Sequence, residues 1–355
     1  MKNSDLLRLR LHNQQLSETR SRRPRDVVSW LVAMQAQEYA MAKWAIGLRL
    51  PGVVSDADIE RAFNAGEILR THVLRPTWHF VAPADIRWLL ELTAPRVHAA
   101  SAYMYRKLEL TAAVFKRSDA VLVRALRSER FLTRTALQER LARSGVKAEG
   151  PRLGYLMMHA ELEGLICSGP REGRQFTYAL LDVRAPGARP MRRESALAEL
   201  SRRYFASRGP ATPHDFANWS GLTVADARAG VESLDGEFVR QTIDGRTHVF
   251  RPANVSLRSA TPFAFLMPDY DEFGMSYKDR RALATPGVGT LAYNRMIVVD
   301  GRIIGSWRRS LAGGSIAIET DHPARLSRAR LRAVSLAKRR FTAWIDTAAQ
   351  TGTDP

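Results

Sequence analysis

The stretch SDADIERAFNAGEILRTHVLRPTWHFVA, residues 55–82, sets a helix directly against a hairpin. Ser55 or Asp56 is placed to cap a helix with an acidic first turn, and Ile59, Ala62 and Phe63 recur at helical spacing. LRTHVL and TWHFVA then form two β-rich segments, joined by a short turn at Arg75-Pro76. In that register His72 and His79 face each other, as a paired polar site or as a structural pair bonded to backbone. Upstream, Val27, Val28, Leu31 and Val32 mark one face of a helix running through DVVSWLVAM, and Trp44, Ile46 and Leu48 suggest another. Three helices closed by a hairpin is the winged-helix order, a variant of helix-turn-helix. PADIRWLLEL and APRVHAASAYMYRKL are expected as two bridging helices, so this first unit takes residues 1–110.

The same order recurs. Within 111–185, VFKRSDAVLVRALRSE, RTALQERLARSG capped by Thr133, and PRLGYLMMHAELEGL are followed by LICSG and RQFTYALL around the basic turn PREGR. Within 190–255, ESALAELSRRYFASRG, TPHDFANWSG capped by Thr212 and TVADARAGVESL capped by Thr223 precede a hairpin that turns on Asp244-Gly245. Residues 256–355 change character. FAFLM, RMIVVD, RIIGSW and SIAIET, punctuated by Asp300-Gly301 and Gly313-Gly314, predict a β-barrel or sheet. A terminal helix follows, with Leu331, Val334, Ala337, Phe341 and Trp344 on one face and seven basic residues from Arg325 to Arg340. The expected fold is mainly α with β-hairpin wings: three tandem winged-helix units, a C-terminal β-barrel and a helix.

At 355 residues the chain exceeds one small domain, and 45% hydrophobic with 25% charged residues excludes a disordered or collagen-like polymer. Fifty-four Lys and Arg against 36 Asp and Glu leave a net charge of +18, so a polyanion is the expected partner. No apolar run is long enough for a spanning helix, and no membrane association is expected. The N-terminus lacks an apolar core with a cleavage site, which makes the cytoplasm, in association with the nucleoid, the default. Cys167 is the single cysteine, and the eight histidines show no metal-ligand spacing. Walker A and GxGxxG signatures are absent as well, so no metal or cofactor is expected.

Two polar clusters stand out. Gln35-Ala36-Gln37 closes an otherwise apolar helix; residues two apart converge only on an extended segment, so the helix must end there. Glu38 is the nearest carboxylate. The second cluster runs from Asp269, Asp271 and Glu272 to Lys278 and Arg280. It reads as a surface facing the polyanion, or as a buried salt-bridge network holding the barrel to a winged helix with Lys278 and Arg280 neutralising the acids locally.

DVVSWLVAMQAQEYAMAKWAIGLR, ILRTHVLRPTWHFVAPADIRWLL and FLMPDYDEFGMSYKDR together resemble the AlkZ/YcaQ-like family of bacterial DNA glycosylases, over almost the whole chain. The resemblance implies three winged helices and a barrel, removal of N7-alkylated guanine, and unhooking of interstrand crosslinks. It also implies a catalytic Gln-apolar-Gln triplet, which Gln35, Ala36 and Gln37 match. Asp269, Asp271, His72, His79 and Glu38 are the expected supporting residues. A monomer acting on double-stranded, alkyl-damaged DNA is expected, with Arg75, Arg152, Arg171, Arg174, Lys278, Arg280, Arg308 and Arg309 as its DNA contacts. The competing reading is a non-catalytic winged-helix regulator. Against it, the third helices begin SDADIERA, GPRLGYLM and TVADARAG, where only Arg152 resembles a base reader.

Overall fold

A computed structural model describes residues 1–52, 54–253, 261–285, 288, 294–312, 315–322 and 325–350. The expected Gly313-Gly314 turn lies outside the described residues.

The N-terminal segment runs α1 (Asn3–Asn13), α2 (Pro24–Leu31), β1 (Ala33–Gln35), α3 (Tyr39–Gly47), α4 (Asp56–Ala65), β2 (Leu69–Val73), β3 (Arg75–Val81) and α5 (Ile86–Lys107). Ser55 caps α4 by accepting from the Asp58 amide, and Gly66 ends it in the left-handed region. Two expectations need correction here. Helix α2 does not reach Met34: it stops at Leu31 because Val32 turns to φ +65°, and the chain enters a strand. The bridging region is one helix, not two, with Pro95 inside it.

The second segment is α6 (Ala112–Ser128), β4 (Leu132–Thr133), α7 (Arg134–Arg143), α8 (Pro151–Leu162), β5 (Ile166–Glu172), β6 (Gln175–Leu180) and the short α9 (Leu181–Arg184). The third is α10 (Arg193–Arg208), α11 (Pro213–Ser220), α12 (Val224–Glu232), β7 (Val239–Ile243) and β8 (Arg246–Phe250). All three therefore repeat helix, extended residue, helix, helix, hairpin. The sheet order is β1-β3-β2 in the first and β4-β6-β5 in the second; in the third, Ala211 bridges Val249 beside the β7–β8 hairpin. Thr133, Thr212 and Thr223 cap as expected. Asp244-Gly245 turns its hairpin with both residues at positive φ, as a two-residue turn between twisted strands requires.

The C-terminal part comprises β9 (Ala264–Leu266), α13 (Glu272–Met275), β10 (Met296–Val299), β11 (Arg302–Ala312), β12 (Ser315–Asp321) and α14 (Arg328–Gln350). Its strands form an antiparallel sheet in the order β12-β11-β10-β9, which corresponds to half of the expected barrel. Val334, Ala337, Phe341 and Trp344 of α14 are buried, whereas Leu331 is exposed and leaves the expected stripe. Trp344 lies where a Cβ on Gly47 would be 2.6 Å away, so only glycine lets α14 seat on α3. Arg340 donates to the Gly47, Leu48 and Leu50 carbonyls at 3.1–3.2 Å, a cation docked on a helix C-terminus.

One large apolar core joins the first and third segments to the sheet, through side chains such as Leu31, Trp44, Phe80, Tyr204, Trp219 and Leu266. The second segment has its own cluster around Leu122, Leu137, Leu156 and Ile166. No helix among the described residues is long and apolar enough to cross a membrane.

Candidate functional site

Gln35 is the last residue of β1 and pairs with His79 of β3. The strand continues as backbone for one more bond, Ala36 N–H to the Trp78 carbonyl at 2.7 Å, before α3 begins beyond Glu38. Gln35 thus ends the strand, and Gln37 follows two residues on, at the bend that leads into α3. Gln35 is buried and Gln37 exposed. Each amide oxygen accepts one hydrogen bond: Gln35 Oε1 from Arg75 Nη2 at 3.2 Å, and Gln37 Oε1 from the Trp78 amide at 3.4 Å. A carbonyl oxygen carries two lone pairs, so each keeps one for a further donor.

Beneath Gln35 lies a fully buried charge network. Its backbone N–H donates to Glu272 Oε1 at 2.9 Å. Glu272 Oε2 accepts from Arg208 at 2.7 Å and from the Trp219 indole at 2.9 Å, and Arg208 also donates to the Ala33 carbonyl. Burial works to raise the Glu272 carboxyl, but the charge and hydrogen bonds of Arg208 and the Gln35 amide outweigh it and hold it below the ordinary glutamate value. Arg75 closes the frame: its guanidinium donates to the Trp219 carbonyl at 2.6 Å as well as to Gln35. It therefore serves as a clamp on Gln35.

The opposite face of the same sheet is aromatic and cationic. Arg70 sits 4.3 Å from the Trp78 ring and 4.6 Å from Phe176, and its Nε donates to the Ala36 carbonyl at 3.0 Å. The stacking centres the guanidinium on the back of the glutamine segment. Tyr39 donates to Glu60, and Lys43 is held between Asp56 at 2.6 Å and Glu60 at 2.7 Å.

The two histidines do not face one another. Leu74, at φ +64°, makes the turn, and beyond the bulge between His72 and Val73 the strands pair as His72 with Trp78 and Thr71 with His79, one residue away from the expected register. Such a shift exchanges faces. His72 consequently opposes Trp78 and bonds Glu161 of α8, while His79 opposes Thr71 on the glutamine side.

The remaining candidates are scattered. Arg152 donates to the Lys147 and Leu108 carbonyls, tying α8 to the end of α5. Arg171 lies against Phe176 at 4.4 Å and donates to the Gln175 carbonyl, while Arg174 is exposed in the two-residue turn. Lys278 lines a cleft of about 700 Å³ with Arg228, Arg246 and Arg281. Burial lowers the Arg280 guanidinium to about 10. Arg308 pairs with Glu319 across the β11–β12 ladder, and Arg309 opposes Ile318. Asp271 is buried against Arg49 at 2.8 Å, and Asp269 meets Arg295 at 3.1 Å. The acidic cluster is thus a network joining α13 to the first segment. Its ion-pair partners among the described residues are Arg49 for Asp271, Arg208 for Glu272 and Arg295 for Asp269, in the place expected for Lys278. Arg208 and Trp219 escaped sequence reasoning altogether; they lie 64 and 53 residues from Glu272, with no local pattern to link them. No group of three or more metal-ligating side chains converges among the described residues.

The architecture is that of a DNA-processing enzyme of known structure: it superposes on the Streptomyces sahachiroi DNA glycosylase AlkZ with a TM-score of 0.80, covering 97% of this chain and 96% of that one at 19% identity. The family model for DNA glycosylase AlkZ-like proteins matches residues 28–344. The chain belongs to the AlkZ-like DNA glycosylase family, a family of DNA-binding hydrolases of DNA repair. No curated protein sequence matches it.

Proposed function

We propose that the protein hydrolyses the N-glycosidic bond of N7-alkylated purines in duplex DNA, with Gln35 and Gln37 as the catalytic residues, and that it acts on crosslinked bases as well. The observation that carries this reading is the non-helical Gln35-Ala36-Gln37 segment, whose two amide oxygens are each fixed by one donor and keep a free lone pair. Alkylation at N7 makes the base a cationic leaving group, so departure needs no strong acid. The enzyme gains by holding water near C1′ and by aiming preorganised dipoles at the oxocarbenium-like sugar. Neutral amides do both. They offer little to an undamaged nucleotide, which makes the site selective by chemistry.

In this reading the three segments are winged-helix units used as scaffold, with the net +18 charge attracting duplex DNA without strong sequence preference. Arg174, Lys278, Arg280, Arg308 and Arg309 supply backbone contacts, and an exposed Gln37 next to a buried Gln35 suits a base that cannot flip fully out of a crosslinked duplex. The test is incubation with a duplex carrying one N7-methylguanine, followed by alkali. Release of the free methylated base, with scission above that of the untreated duplex under the same mild alkali, is expected after protein treatment. A parent protein inert toward both this duplex and a crosslinked one sinks the reading.

A further inference from the structure

The glutamine face of the β1–β3–β2 sheet carries polar atoms that the fold leaves without partners. Thr71, His79 and Gln35 form one row across the three strands, and Thr77 lies two residues from His79 on the same side. Thr71 and His79 are completely buried, yet Thr71 Oγ1, Thr77 Oγ1 and His79 Nε2 have no hydrogen-bond partner among the described residues. Three such atoms on one face contrast with the rule that buried polar groups are paired with protein or with ordered water.

The His79 ring fixes what could pair there. Its Nδ1 lies 2.9 Å from the Thr77 carbonyl, which can only accept, so Nδ1 carries the proton and Nε2 presents a lone pair. Burial and the nearby Arg75 charge hold this imidazole well below the ordinary histidine range, which keeps it neutral. The threonine hydroxyls are donors as well as acceptors. A water molecule can donate to His79 Nε2 and accept from the threonines, with a proton left for the free lone pair of Gln35 Oε1. The row also runs inward from the surface: Gln37 is exposed, Thr77 half-buried, Gln35 buried, and His79 and Thr71 enclosed.

We propose that Thr71, Thr77 and His79 form a buried water site behind Gln35, and that His79 acts through it as a positioning residue for the Gln35 amide. The positioning role rests on the catalytic reading above; the water site does not. The two parts are therefore tested separately on the full chain.

Thermal unfolding of Thr71→Val decides the water site. If the hydroxyl is hydrogen-bonded to water, its isosteric removal strands a partner and lowers Tm by about 2 °C or more. A Tm equal to or above the parent's means an orphaned hydroxyl and overturns the site. Single-turnover excision of N7-methylguanine decides the positioning role. His79→Asn retains a donor toward the Thr77 carbonyl and loses the outer acceptor; base release should slow about tenfold with DNA affinity unchanged. His79→Gln restores an acceptor at the outer position and should recover most of that loss. Wild-type release by His79→Asn, or equal loss in both variants, overturns the positioning role. A parent inert toward the lesion removes the positioning role together with the catalytic reading, and the Thr71→Val melting result still decides the water site.

Discussion

The first and second segments have the same strand order, β1-β3-β2 and β4-β6-β5, and differ where the first strand hands over to the next helix. In the second segment Leu132 pairs with Tyr178, and the next residue, Thr133, already caps α7 through the Ala136 amide. The third segment does likewise: Ala211 bridges Val249 and Thr212 caps α11. In the first segment the handover is longer. Ala36 and Gln37 intervene between Gln35 and the helix, and Glu38, at the cap position, makes no side-chain capping bond. A capping hydroxyl is spent on its own helix, whereas an amide on an uncapped, non-helical segment is left for other work. The same frame thus gives a structural corner twice and a candidate reaction site once.

The comparison also extends below the backbone. Gln35 rests on the buried Glu272–Arg208 pair contributed by the C-terminal part and the third segment, so its position depends on the whole assembly. Glu272→Gln should show the largest effect on stability. Removing the charge strands Arg208 in the interior, and breaking such a pair costs about 3–5 kcal/mol, measured by denaturant unfolding. The accompanying pH dependence has a definite sign. Because the folded Glu272 carboxyl lies below its ordinary value of 4.5, its stabilisation is complete above that pH and disappears as pH falls through the folded value. The variant should lose this acid-side slope.

A smaller effect belongs to His79. Its folded imidazole lies well below 6.5, so the unfolded chain takes up a proton first as pH falls, and stability present above 6.5 is lost below it. The slope contributed is about 1.4 kcal/mol per pH unit at most, for one proton. His12, His98 and His248, also lowered chiefly by burial, add to it. His79→Gln should flatten the stability profile between pH 6.5 and 5; an unchanged profile would mean that His79 already protonates readily in the folded protein. The smallest effect is expected at the corner the second segment uses structurally: Thr133→Ala should cost about 1 kcal/mol of stability through the lost cap and leave base release at the parental rate. A large loss of excision there would break the distinction between the corners.

Much of this was legible in the chain because it is local. Ser55, Thr133, Thr212 and Thr223 announce helix starts by side-chain chemistry, and Asp244-Gly245 and Asp300-Gly301 announce turns by their tolerance of positive φ. The Gln-apolar-Gln spacing requires the helix to end before the triplet, and α2 stops at Leu31, with Gln35 in a strand and Gln37 at the bend beyond it. What failed was either a matter of one residue or of long range. Val32 and Leu74 take positive φ although neither is glycine or asparagine, so propensity extended α2 too far and moved the hairpin turn, which put His72 and His79 on the same face. Pro95 is tolerated inside α5, where a proline ordinarily marks a boundary. The partners of the acidic cluster were out of reach for another reason: Arg49 lies 222 residues from Asp271, and nothing local pairs them.

The central claim is that Gln35 and Gln37 carry the chemistry and Glu38 does not. Single-turnover excision of N7-methylguanine from duplex DNA by the parent, Gln35→Ala, Gln37→Ala and Glu38→Gln tests it most directly. Loss of one preorganised dipole costs on the order of 10²–10³ in rate at oxyanion holes, and a half-exposed site should sit at or below the low end of that range. The account predicts that both alanine variants slow base release by up to about 10² with DNA affinity nearly intact, while Glu38→Gln keeps the parental rate. Abolished excision in Glu38→Gln, with parental rates in both glutamine variants, would contradict it.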